Sequence, residues 1–197
     1  MAILATLCLT ISINAQSGPD PQPITLAQKK IKNVGTDCQD RTFHIAFRLP
    51  LKWSVQSQTR WTDATQRATT LTLHDPQSRE PVGLYYRIVE DPRPAPGEAI
   101  DRALQVEVDK KIGLRARQGF AGYQIRPENC ERRLVAGRQA LSCIAQYNDR
   151  SGIVMSEYLT WIQSERCFAQ FWVLVRPEDV VELRGRLEGL IQSLQLP

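Results

Sequence analysis

The sequence predicts an α+β domain, an antiparallel sheet flanked by helices in an α/β/α sandwich. Three observations predict it. Strand-like apolar patterns recur from Phe43 to Val89 and again from Tyr123 to Val175. Two segments, Gly97–Gly119 and Pro177–Leu194, carry apolar residues at helical spacing instead. One strand segment, Cys167–Val175, is apolar on both faces, which places it in the sheet centre with a covering layer on each side.

The chain opens on an uncharged apolar run, Met1 to Ile13. It is shorter than the roughly 20 apolar residues a spanning helix needs. It has the length of a signal-peptide core, and Ala15 offers a small residue for cleavage. Residues 1–15 are therefore expected to be a signal peptide, although no basic residue precedes the apolar run. The surroundings of Cys8 do not fit a lipid-attachment site, so cleavage without lipidation is expected. Residues 16–36 read as a linker, because Pro19, Pro21 and Pro23 favour extended backbone. A single domain is expected over residues 37–197.

Within it, Phe43, Ile45 and Phe47 alternate as in a strand until Pro50 interrupts them. Trp53–Ser57 resumes as a short strand, Arg67–His74 is rich in β-branched residues, and Pro81–Val89 follows. From Gly97 the period changes. Ile100, Leu104, Val108 and Ile112 make one helical face, with Ala103 beside them. Glu98 and Asp101 sit early and Lys110 and Lys111 late, as the helix dipole prefers. Tyr123–Arg126, Glu131–Val135, Arg138–Tyr147, Ile153–Ile162 and Cys167–Val175 then read as strands. Pro177, Glu178 and Asp179 open the final helix, whose Val180, Leu183, Leu187, Leu190, Ile191 and Leu194 keep helical spacing.

Ala136-Gly137 forms the expected two-residue loop of a hairpin. Counting outward from Val135 and Arg138 sets Cys130 opposite Cys143. That is a non-hydrogen-bonded pair, with Cα atoms about 4.5 Å apart, close enough for a disulfide. A disulfide implies an oxidising compartment, so a secreted or periplasmic location is expected. Elimination leaves Cys38 as the partner of Cys167, in a loop of roughly 130 residues that the chain-entropy model values at about 4–5 kcal/mol; free, buried thiols that behave as small hydrophobes are the alternative.

The formal charge is +4 and Arg residues are interspersed with acids. No basic stripe for nucleic acid is apparent. Beyond the signal, no second apolar stretch is long enough for stable membrane insertion. The sequence shows no phosphate loop, nucleophile elbow, zinc-protease motif or close cysteine pair. Neither a metal nor a cofactor is expected, and no catalytic residue is assigned. Trp53, Trp161, Arg132, Arg133 and Arg138 are the candidates for a ligand or partner surface.

The phenylalanine-rich segment Phe43–Trp53 (F-x-I-x-F-x-L-P-x-x-W), the Gly97–Gly119 helix, the Val135–Arg138 hairpin and the Pro177–Leu194 helix together resemble the Mog1/PsbP-like proteins, including exported bacterial members. That resemblance implies a binding, assembly or accessory role. The expected function is a non-enzymatic exported domain that binds a protein partner or serves as a cell-envelope accessory factor. Binding of a small apolar or anionic ligand is the alternative.

Overall fold

The computed structural model describes residues 26–31, 34–62, 67–77, 81–88, 97–149, 151–164 and 166–197. The expected signal peptide and residues 16–25 of the expected linker lie outside them.

The described chain starts in a strand. β1 (Ala27–Ile31) pairs with β2 (Gly35–Asp40), which pairs with β3 (Ile45–Leu49), in an antiparallel three-stranded sheet. The expectation of a linker through residue 36 is corrected here. β1 exposes Gln28, Lys29 and Lys30, so backbone pairing rather than an apolar pattern holds it. Leu26, just before it, is buried in the core.

The larger sheet contains β4 (Ser54–Thr62), β5 (Arg67–His74), β6 (Val82–Ile88), β7 (Ala121–Val135), β8 (Arg138–Asn148), β9 (Val154–Gln163) and β10 (Cys167–Val175). Its order is β4-β5-β6-β10-β9-β8-β7, so β10 lies in the centre, as its two apolar faces require. Ala169, Phe171 and Val173 enter one core, and Phe168, Trp172 and Leu174 the other. At Gly83, opposite Trp172, an added Cβ would lie 2.1 Å from the indole. Glycine there lets the ring lie close against β6.

The β7–β8 hairpin has the predicted register, from Val135 opposite Arg138 to Cys130 opposite Cys143. Ala136 and Gly137 have φ of 47° and 77°, the left-handed pair that a tight hairpin turn needs. Upstream, the register shifts between Ile125 and Cys130, where Pro127 lies. Proline cannot donate to the ladder, and an irregularity accommodates it. Tyr123–Arg126 and Glu131–Val135 thereby become parts of one strand.

Helix α1 (Gly97–Arg117) packs on β7, β8 and β9. Helix α2 (Val180–Gln192), entered through the short 3-10 turn Pro177–Asp179, buries Val180, Leu183, Leu187, Leu190 and Ile191. α2 and the three-stranded sheet share one core, which joins Ile45 and Phe47 to Phe171, Val173 and Leu187. α1 covers a second core with Leu141, Leu159, Trp161 and Phe168. The expected sandwich is thus modified: the molecule is mostly antiparallel sheet, and a second small sheet accompanies α2. No described helix is long and apolar enough to cross a membrane.

Candidate functional site

The cysteines divide into a bridge and two thiols. Cys130 and Cys143 form a disulfide with Cα atoms 4.1 Å apart. Cys38 and Cys167 are free and buried, which corrects the pairing reached by elimination. Cys38 lies in β2 of the small sheet and Cys167 at the start of β10 in the large one. Each thiol donates instead to a nearby carbonyl, Cys38 to Thr36 and Cys167 to Phe168. Burial pushes Cys38 up to about 11, with a further contribution from Asp37, and pushes Cys167 up to about 12. Both remain protonated at neutral pH, which makes them poor nucleophiles.

The structure does not gather the other candidate residues. Trp53 is buried in the core beneath α2, and Trp161 is buried in the core beneath α1. They lie on opposite faces of the sheet, so they share no ligand platform. Arg132 and Arg138 are exposed on the hairpin. Arg133 points to α2, where its Nη1 donates to Glu188 at 2.6 Å.

Burial instead assembles a cluster with no sequence motif. Glu157, in β9, is completely buried. Arg115 of α1 reaches both of its carboxylate oxygens, with Nε to Oε2 at 3.0 Å. Lys111, one turn earlier, places Nζ 3.0 Å from Oε1. Tyr123 donates its hydroxyl to Oε2 at 2.8 Å. Arg115 also donates to Gln118 at 2.8 Å and lies over the Phe120 ring at 4.6 Å. Lys111 sits 5.2 Å above Trp172, the ring that Gly83 accommodates.

The buried face of α1 therefore runs through Leu104, Val108, Lys111 and Arg115. Ile112, expected on that face, is only half-buried. The side chains of Ile100 and Ala103 lie outside the described residues.

Burial opposes the charge on Glu157, but Lys111, Arg115 and the hydrogen bonds from Arg115 and Tyr123 prevail. The carboxyl is held below the usual range. Lys111 is the surplus cation. Burial lowers it to about 8, Glu157 pulls it up, and Arg115 pushes it down. Arg115 already engages both carboxylate oxygens, so little compensation remains for a second cation. Closed beneath α1, this constellation suits anchoring the helix to the sheet. Buried ions need this kind of complete partnering.

An open cleft lies elsewhere. A cleft of about 640 Å³ is lined by all three strands of the small sheet, by Gln192, Ser193 and Gln195, and by Ala136. Lys29, Asp37 and Arg48 occupy successive cross-strand partner positions, so they share a sheet face. Asp37 accepts from Arg48 at 2.6 Å. Lys29 and Arg41 also line the cleft and make no ion pair among the described residues. Among the described lining residues, three cations thus stand with a single carboxylate. Such a surface can receive an anionic group through charge-assisted hydrogen bonds. Among the described residues, no cluster of His, Cys, Asp and Glu is arranged to hold a metal. The separation of Lys29 and Arg48 in the sequence hid the cleft, and only the strand register unites them.

No protein-family model matches the chain, and no curated protein matches it. The fold has counterparts among solved structures. Cyanobacterial PsbP (CyanoP) from Synechocystis sp. PCC 6803 is 11% identical, with a TM-score of 0.53, over 94% of this chain and 99% of that one. LpqN of Mycobacterium tuberculosis, described as involved in cell envelope biogenesis, is 11% identical with a TM-score of 0.44, over 88% of this chain and 91% of its own. A Pseudomonas aeruginosa protein of unknown function, described as a putative regulator, gives 12% identity and a TM-score of 0.39, over 87% of this chain and 96% of that one. The PsbP-like resemblance read from the sequence therefore holds at the level of fold.

Proposed function

We propose that this chain is an exported, non-catalytic domain that serves the cell envelope by binding a protein partner, with the cleft beside β1 as its contact surface. The observation that carries this reading is the charge imbalance of the cleft, where Lys29 and Arg41 stand without ion-pair partners among the described residues. The Cys130–Cys143 bridge supports an oxidising compartment. The fold prescribes no activity, so the functional reading rests on the site.

Photo-crosslinking tests it. A photoreactive residue replacing Arg41 is expected to capture a specific envelope protein, and neutralising Lys29 is expected to reduce that capture. Capture only from positions on the α1 side would overturn the assignment of the cleft. A small anionic ligand is the second reading, favoured by a cleft volume within the usual range for ligand sites. Native mass spectrometry of the purified chain would then show a bound small molecule that Lys29→Gln and Arg41→Gln displace.

A further inference from the structure

We infer that the outer edge of β1, which no described residue pairs, receives an extended acidic segment of the partner as an added antiparallel or parallel strand. The inference rests on the proposed binding role of the cleft and specifies its mode. Sheet edges carry unpaired backbone groups that favour strand addition, and proteins usually blunt or cover them. In the large sheet, β4 has an irregularity between Val55 and Ser57, and β7 has two, the second spanning Pro127. The outer edge of β3 is covered. Ala46 exchanges backbone hydrogen bonds with Gln195 at 3.1 and 2.7 Å, and Ser193 Oγ accepts from the Arg48 amide at 2.8 Å.

β1 differs from these edges. Its five residues pair with β2 in uninterrupted register, and it terminates the three-stranded order. No described residue pairs with its other side. Alternate backbone amides and carbonyls of an antiparallel edge strand point away from its neighbour, which supplies the hydrogen bonds for a new strand. Ala27, Gln28 and Lys29 also line the cleft, so an added strand would lie along its β1 margin, with Arg48 on β3 at the far side of the small sheet. Lys29 and Lys30 repel a second copy of β1 and attract acidic side chains. One edge therefore combines regular pairing geometry with charge that selects its occupant.

The probe is a short fluorescein-labelled peptide alternating Glu and Val, titrated into the full, disulfide-intact chain. Binding is expected with added hydrogen-exchange protection at alternate amides of β1. Combining Lys29→Gln with Arg41→Gln is expected to weaken binding about tenfold, equivalent to about 1.4 kcal/mol. Both side chains are exposed, and circular dichroism would verify that the variant folds. A peptide of the same charge with N-methyl groups on alternate amides is expected to lose binding on its pairing side.

Equal binding of peptides N-methylated in either alternate set would overturn strand addition and leave charge attraction alone. Protection confined to β4 or β7 would also overturn it. Competition by citrate with no β1 protection would assign the cleft to small free anions, against this inference. If no acidic peptide binds while Arg41 crosslinking still captures a partner, strand addition fails and the proposed role survives. Failure of both peptide binding and crosslinking rejects both.

Discussion

The two faces of the large sheet hold their helices by different physics. α2 lies on an apolar floor, with Leu183, Leu187 and Leu190 meeting Phe171 and Val173 in one core. Its charged contacts stand around that core: Arg133 to Glu188, Arg184 to Glu131, and Arg186 to the buried Asp75. α1 reverses the arrangement, because ions lie within its interface. Hydrophobic burial tolerates small changes of position, whereas the carboxylate of Glu157 must meet Arg115, Lys111 and Tyr123 together. Directional bonds thus fix the placement of α1, while α2 depends more on packing volume.

The sharpest test of this contrast is Glu157→Gln. It leaves two buried cations without their carboxylate and is expected to cost about 3–5 kcal/mol in denaturant unfolding. A loss below about 1 kcal/mol would mean that the ions do not anchor α1. On the other face, Leu187→Ala is expected to cost about 2–5 kcal/mol through lost burial and the cavity left behind. That loss should be insensitive to pH between neutral and acid conditions, unlike the loss in Glu157→Gln. Opening the Cys130–Cys143 bridge, by replacing both cysteines with serine, is expected to cost about 3 kcal/mol by the loop-entropy account. The measurement is the shift in unfolding free energy against the oxidised parent.

The smallest effect at neutral pH is expected from Lys111→Met. It removes the surplus cation but retains the Arg115–Glu157 pair, so stability should change by less than about 1.5 kcal/mol. The pH profile provides a finer measure. Lys111 has an ordinary pKa of 10.5 and falls to about 8 in the fold. Between those values the unfolded chain binds more protons, so this lysine's contribution to stability rises with pH. Cys38 and Cys167, raised in the fold from 9.0, act in the opposite direction as pH rises. The difference between the parent and Lys111→Met removes their common contribution. That difference should grow in the parent's favour from pH 8 to 10.5. In acid the sign follows Glu157, whose depressed carboxyl contributes stability that declines as pH falls below 4.5. Glu157→Gln should lack that decline.

The same contrast explains what was legible in the sequence. The spacing of Val180 through Ile191 revealed α2 because apolar burial writes a periodic pattern. β10 revealed its central position through two apolar faces, and the Ala136-Gly137 turn gave the disulfide register. Lys111 and Arg115 had a ready surface explanation near a helix C-terminus. Their burial depends on Glu157, a carboxylate 42 residues from Arg115 in the chain. β1 was hidden because an exposed edge strand needs no alternating apolar residues. The cleft was hidden because its cations meet only through strand pairing. Trp53 and Trp161 were better indicators of the two cores than of a shared surface.

The tail that covers β3 also has a temporal consequence. Synthesis releases β1, β2 and β3 long before Ser193 and Gln195 exist to cover the last of these strands. The apolar side of the small sheet meets α2, which is also synthesised well after these strands. Native closure of this core must therefore await α2, and its distant contacts favour slower folding. Until α2 emerges, the nascent small sheet has no native roof over its apolar side.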